Sequence, residues 1–344
     1  MKPKRNPGHR VAVRGVGHLF LLQYNSVLTN FKTKLLNAYQ IDESSFLGKG
    51  RESSTYALDK GRVLKIFVSG DKEFLLALAV FYHKLALHPL PFHTPQILEV
   101  GEKDGIVFTV EKRLPGKALD QVFPTLNEKK KLVALENYFK AIRYYNLIQF
   151  PDLPYGQIIK VKQVLTANTW PEFVLAKFEK KIAAQPRLIY DVTDYLVKVE
   201  RMRQAIKNGK LDISERSLVH ADYYFTNVLV DDQLQVSAVL DFGEHAVVGD
   251  RRMDVAAAVD FLNVSSDVTP EMHNFVRDLA RQEYGKEIDW YINFYALFYN
   301  FYFADTKDEE LYRWSIKGLN NEKAWELLTQ LDSISKPPSP PQIL

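Results

Sequence analysis

The run His220-Ala221-Asp222-Tyr223-Tyr224-Phe225-Thr226-Asn227, followed after a short hairpin by Asp241-Phe242-Gly243, holds the strongest chemical signal in this 344-residue chain. Its carboxylates and amide supply oxygen donors of the kind that hard divalent cations prefer. A carboxylate held among them can also take or orient a proton. Each residue alone is an ordinary loop residue: Asp222 and Asn227 suit caps, and Asp241 suits a strand end. The information lies in their order after an apolar strand.

The elements that must position these residues change character near residue 115. From Ser45 to Phe67 the pattern reads strand, turn, strand, turn, strand, with Asp59-Lys60-Gly61 as the second turn. A helical stretch follows at Asp71–Leu87, then strands at Gln96–Val100 and Ile106–Val110. This predicts a small antiparallel sheet with one helix. Beyond Leu114-Pro115-Gly116, apolar residues recur at three- and four-residue spacing over Leu126–Ile148, Pro171–Ala184 and Val192–Asn208. Strand signals at Ser217–His220, Val228–Val230 and Val236–Leu240 flank the chemical motif, and helices resume at Met253. The aromatic-dense segment from Trp290 to Phe303 reads first as core.

Composition bounds the alternatives. With 46% hydrophobic and 25% charged residues, the chain is of the ordinary globular class and long enough for two domains. Cysteine is absent, which excludes disulfides, thiolate metal sites and cysteine nucleophiles. The net charge is +3, yet residues 1–40 carry seven Lys/Arg and no acid, so the remainder is net acidic. A nucleic-acid surface on the folded body is therefore disfavoured. The basic start precedes the apolar stretch Val16–Leu22, which is short for a targeting segment, and no run reaches a membrane span. The segment Lys336–Leu344, with four prolines, reads as an extended tail.

The spacing H-x-D-x-x-x-x-N followed by D-F-G resembles the catalytic and metal-binding loops of protein-kinase-like phosphotransferases. It is most similar to their small-molecule branch, the aminoglycoside phosphotransferase and choline kinase family. That resemblance implies an α+β, bilobal protein-kinase-like fold: a small antiparallel N-lobe sheet with one helix, and a larger, mainly helical C-lobe. The expected division is a basic arm over 1–40, the N-lobe over 41–114, the C-lobe over 115–332 and the Pro-rich tail over 333–344.

The resemblance also implies an ATP- and Mg²⁺-dependent transfer to a small hydroxyl acceptor. Asp222 would take or orient the hydroxyl proton, Asn227 and Asp241 would hold the metal, and His220 would support the loop. Upstream, Leu47-Gly48-Lys49-Gly50-Arg51-Glu52-Ser53-Ser54 is similar to a nucleotide-covering loop, in which Gly48 and Gly50 admit phosphate and Ser53 and Ser54 add donors. Lys65, flanked by apolar residues on a strand, matches the α/β-phosphate lysine, with Glu73 as its expected partner. Val110-Glu111-Lys112-Arg113-Leu114-Pro115-Gly116 matches the crossover that bonds adenine, here through the main chain of Glu111 and Arg113.

Twelve residues separate Asp241 from Asp254, too few for a long activation segment, which favours a small acceptor over a protein one. Asp212, Glu215, Glu244 and Asp250 lie near the motif and, with the family analogy, suggest a cationic acceptor such as an aminoglycoside-like antibiotic, an amino alcohol or a sugar derivative. Asp250 and Asp254 themselves read as loop and helix-start holders. Departures from the family pattern are Ala221 where glycine is common, and Tyr224-Phe225-Thr226 where His-Pro-Gly is common. The expected setting is a cytoplasmic monomer or homodimer, with no nucleic acid and no membrane. Rival readings are a protein-directed or autophosphorylating kinase and a non-catalytic nucleotide-binding regulator.

Overall fold

The computed structural model describes residues 32–330 apart from 51–52, 68–69, 160 and 162–163. The first 31 residues of the expected basic arm, Arg51 and Glu52 of the glycine-rich loop, and the Pro-rich tail lie outside the described residues. The chain divides into two compact units. One runs to Ala79 and includes Gln96–Arg113; the other takes Val80–Pro95 and everything from Leu114 onward.

The first unit opens with a helix over 32–38 (α1), followed by β1 (Phe46–Lys49), β2 (Ser53–Ala57) and β3 (Arg62–Phe67). Helix α2 (Lys72–Leu85) starts here and passes into the second unit at Val80. Strands β4 (Ile97–Lys103) and β5 (Ile106–Lys112) complete a five-stranded antiparallel sheet in the order β1-β2-β3-β5-β4. The β2–β3 turn forms as its sequence requires: Asp59 accepts from the Gly61 amide at 2.8 Å and from Arg62 Nε at 2.8 Å. Period-two burial places Tyr56, Leu64, Ile66, Phe108 and Val110 in one core cluster. Leu35 and Leu36 of α1 join that cluster, so the folded unit begins before the expected boundary at residue 40. Two adjacent leucines bury enough apolar surface to hold a short helix on a sheet.

The second unit carries β6 (Lys117–Ala118), α3 (Leu119–Val122), α4 (Glu128–Asn146), β7 (Tyr155–Gln157), β8 (Thr166–Ala167), α5 (Trp170–Ala184), α6 (Leu188–Asp191) and α7 (Tyr195–Lys207). It continues through β9 (Ser217–Val219), β10 (Val228–Val230), β11 (Val236–Val239), β12 (Val247–Gly249), α8 (Arg252–Asp260), α9 (Pro270–Tyr284), α10 (Ile288–Tyr302), α11 (Glu309–Leu319) and α12 (Glu322–Gln330). Its strands form two small sheets, β11-β10-β6 and β8-β7-β12-β9, both antiparallel. Helices α8 and α10 are buried along most of their length, so the aromatic segment is core as its composition suggests.

One buried chain of polar groups fastens these layers. Helix α5 starts with a capping box between Thr169 and Glu172 and Pro171 in its first turn. Its first residue, Trp170, donates from Nε1 to the Tyr295 hydroxyl of α10 at 2.8 Å, which donates to Asp250 at 2.7 Å. Asp250 also accepts from Arg252 Nε at 2.7 Å, and the Arg252 guanidinium lies 3.6 Å from the centre of the Tyr291 ring. Asp250 is thus a structural anchor, as the sequence suggests. A Cβ on Gly249 would sit 2.2 Å from the Trp170 indole, so only glycine lets β12 pass that ring. Gly249→Ala should cost about 1–3 kcal/mol through overpacking, read as a lower urea midpoint with unchanged slope; an unchanged midpoint contradicts this packing.

Candidate functional site

In the second unit, the loop between β9 and β10 and the turn after β11 carry the motif. The two are tied together: the Leu240 amide donates to Asn227 O at 2.8 Å, and His220 Nε2 lies 2.7 Å from Leu240 O. The Asp222 amide donates to His220 Nδ1 at 3.3 Å. Those two contacts fix the tautomer, with the proton on Nε2 and Nδ1 as acceptor. His220 is fully buried, packed 4.6 Å from Phe242 between ring centres, and acts as a strut rather than a base.

The loop's backbone is held by Asp254, from the first turn of α8. One oxygen accepts the His220 amide at 2.8 Å and the Asn146 side-chain amide at 3.0 Å; the other accepts the Ala221 amide at 2.8 Å. Asp254 is completely buried, and burial pushes its carboxyl above the ordinary value, opposed by His220 and these hydrogen bonds. Ala221 adopts φ 61°, the left-handed region in which a side chain costs roughly 1–2 kcal/mol. That conformation explains why glycine is common there, and the two-amide grip on Asp254 holds it against the strain. Beneath the loop, Tyr223 and Tyr138 exchange hydroxyl-to-carbonyl bonds of 2.8 and 3.0 Å with rings stacked at 4.7 Å.

Asp222 is half-buried at the loop's apex. Asn227 uses its amide NH₂ on Asp222 O at 2.9 Å, leaving its Oδ1 as the group it has to offer. Asp241 is exposed at φ 58°, a conformation aspartate tolerates better than most residues. One amide oxygen and one carboxylate fit Mg²⁺, which takes one or two protein oxygens and completes its shell with phosphate and water. Among the described residues, no group of three or more His, Asp or Glu forms a fuller cage.

The first unit holds the remaining candidates. Gly48 lies on β1, and Gly50 closes the β1–β2 hairpin by donating its amide to Ser53 O at 2.9 Å. Ser53 and Ser54 open β2, half-buried. Lys65 sits in the centre of β3, opposite Thr55 on one side and Thr109 on the other. Its Nζ lies 3.0 Å from Glu111 Oε2, and Thr109 donates to Glu111 Oε1 at 2.8 Å. Glu111, expected to act through its main chain, thus also brings a buried carboxylate to the lysine. Glu73 is exposed in the first turn of α2, its amide bonded to Asp71 at 2.9 Å. The Arg113 amide donates to Gly61 O at 2.7 Å, closing the end of the sheet.

A cavity of about 210 Å³ in the second unit is lined by Gln157, Leu165, Lys177, Lys180, Lys181, Glu244 and Tyr302. A smaller apolar hollow shares Lys177 and Tyr302 with it and reaches Ala221, next to Asp222. His245 also lines this hollow, with its Nδ1 2.8 Å from the Tyr302 hydroxyl. Burial, then the charges of Lys177 and Lys181 against that of Asp241, hold His245 down to about 4, so it is neutral at pH 7. Sequence periodicity assigns Lys177 and Lys181 only to a helix face; the cavity arises from packing α5 against α10 and the turn after β11.

Two outcomes follow. Asp254→Ala should destabilise the chain by about 3 kcal/mol, since two main-chain amides and the Asn146 amide lose a buried acceptor; a denaturation midpoint unchanged from wild type refutes the grip. For His245, the unfolded imidazole takes its proton near pH 6.5 and the folded one only near 4, so stability is lost as pH falls through that window. Urea midpoints measured from pH 7 to 4 should fall less steeply for His245→Gln than for wild type, and parallel curves would count against it.

A family model, the phosphotransferase enzyme family (APH), matches residues 43–290. No curated protein sequence matches the chain. Among solved structures, the chain is similar to the streptomycin–ATP complex of the aminoglycoside phosphotransferase APH(2")-IIa, at 17% identity over 79% of this chain and 88% of that one, with a TM-score of 0.55. It is similar to the GDP and kanamycin complex of APH(2")-IIIa, at 15% identity, 87% and 98% coverage and a TM-score of 0.59. The macrolide 2'-phosphotransferase MphH from Brachybacterium faecium is similar at 15% identity, 84% and 97% coverage and a TM-score of 0.53. With the family matched over most of its length and the kinase-like fold in both units, the chain belongs to the phosphotransferase enzyme family and is a small-molecule kinase whose acceptor is a hydroxyl group.

Proposed function

We propose that this chain transfers the γ-phosphate of a Mg²⁺-bound nucleoside triphosphate, ATP in the first instance, to a hydroxyl of a small molecule. The observation that carries this reading is the loop in which Asp222, Asn227 and Asp241 are fastened by Asp254, His220 and the Leu240–Asn227 bond. Phosphoryl transfer asks a protein mainly for placement and charge compensation, and a loop so tightly held supplies placement.

In this reading Asp222 accepts the hydroxyl proton as the acceptor oxygen bonds to phosphorus, and the nucleoside diphosphate departs with the electron pair of the broken P–O bond. Asn227 and Asp241 hold Mg²⁺, which when bound neutralises charge on the phosphates. Lys65, oriented by Glu111, contacts the α/β-phosphates; Gly48, Gly50, Ser53 and Ser54 cover them. Glu111 and Arg113 mark the strand end where the base would bond, with Arg113 contributing a group other than its amide, and Glu73 remains a second carboxylate for Lys65. ATP and GDP in the similar structures support a purine nucleotide. The same reading expects a cytoplasmic monomer or homodimer that acts without a nucleic-acid partner.

Calorimetric titration with Mg·ATP should show saturable binding that survives in Asp222→Asn, while ADP release in the presence of an acceptor falls by about 10²–10⁴-fold in that variant. Absence of binding to the wild-type chain would defeat the enzymatic reading, and Asp222→Asn retaining full turnover would defeat the assigned role.

A further inference from the structure

The acidic residues that suggest a cationic acceptor are largely committed elsewhere. Asp250 is fully buried against Arg252 and Tyr295, and Glu215 lies 3.5 Å from Arg251. Glu244 alone among them lines the cavity, beside three lysines.

Lys177 and Lys181 stand one turn apart on α5, where like charges repel and ordinarily cost a helix a few tenths of a kcal/mol. Both ammonium groups lie over the same Tyr302 ring, 4.9 and 4.1 Å from its centre. Among the described residues, neither forms an ion pair at bonding distance. Burial, reinforced by the charge of Lys181, holds Lys177 down to about 8, and Glu244 only partly offsets this. Lys181 is lowered by burial too. The lysines thus occupy a partly buried pocket at a standing electrostatic cost, which an anion between them would relieve.

The pocket is also beside the catalytic loop. The hollow continuous with it ends at Ala221, and the charge of Asp222 is among the influences that raise the Tyr302 phenol, after burial and Glu244. Tyr302 therefore lines both the lysine cavity and the hollow that reaches Ala221, next to Asp222.

We propose that the phosphate acceptor is a hydroxylated small anion, bearing a phosphate or carboxylate group, whose charge is seated by Lys177 and Lys181 with Lys180 at the rim. The inference rests on the phosphotransferase reading for the use of this pocket, though anion binding itself can be measured without turnover. Neutral His245, bonded to Tyr302, lines the small apolar hollow between charge seat and loop, so the acceptor's carbon skeleton is assigned to the cavity of about 210 Å³ itself.

The test uses the full chain with its nucleotide site saturated by Mg²⁺ and a non-hydrolysable ATP analogue, so that added anions do not bind as phosphate mimics there. Glycerol 3-phosphate, gluconate and choline are titrated by calorimetry into wild type and a Lys177→Gln/Lys181→Gln variant. At least one of the two anions should bind wild type, and weaken about tenfold or more in the variant; Lys177→Arg should restore most of the affinity, which separates lost charge from misfolding. Binding of glycerol 3-phosphate alone assigns a phosphate group, and of gluconate alone a carboxylate. If both anions bind wild type no better than the variant, or choline binds wild type as tightly as either anion, the proposal is overturned. Mg·ATP binding and ADP release are scored separately, so a chain that binds anions through the lysines but never turns over ATP sinks the transferase reading and leaves the charge preference standing.

Discussion

The loop that carries the motif depends for its shape on one buried carboxylate. Asp254 gives both oxygens to the backbone amides of His220 and Ala221, and shares one with Asn146 of α4. Those contacts join helix α8, helix α4 and the end of strand β9 at a point with no access to water. An unsatisfied amide there would cost more than the hydrogen bond is worth, so the arrangement is nearly obligatory once the helices pack. It holds Ala221 in a strained left-handed turn, and that turn brings Asp222 out of the strand direction. His220 then links the same loop to Leu240, one residue before Asp241.

A second buried carboxylate plays the equivalent part for the layer behind. Asp250, through Tyr295 and Arg252, fixes the start of α5 relative to α10 and to β12. Because Lys177 and Lys181 lie farther along α5 and Tyr302 at the end of α10, that packing also determines the cationic pocket. The placement of the motif loop and the charge of the pocket therefore have separate structural origins. A fold can keep the first while the second changes, which is consistent with one architecture serving acceptors of different charge.

Much of this was legible in the residues. Asp222, Asn227 and Asp241 were singled out by order and spacing, and the structure carries them on a loop and a turn that are tied together. The strand Arg62–Phe67 and the long helices were visible because their periodicity runs far enough to be read, and Val228–Val230 and Val236–Val239 because apolar runs flank the polar turn at Asp231-Asp232. The three-residue strands β7 and β12 were not, since so short a segment has no measurable period. The pairing of Lys65 with Glu111 was hidden because it is diagonal across neighbouring strands, set by register, whereas a helix glutamate was expected by analogy. The α1 leucines were masked by the basic residues around them.

What the sequence by itself determined is therefore the reaction class: a fixed order of oxygen donors, a strand lysine and two folding units of different periodicity, all consequences of local chain geometry. Only the tertiary structure decided which carboxylates are spent on holding the scaffold and which remain available. It also decided the sign of the charge around the cavity beside α5. Net charge and linear neighbourhood count every ionised group alike, whereas burial and pairing cancel Asp250 and Glu215 and leave the lysines of α5 facing a space they do not fill.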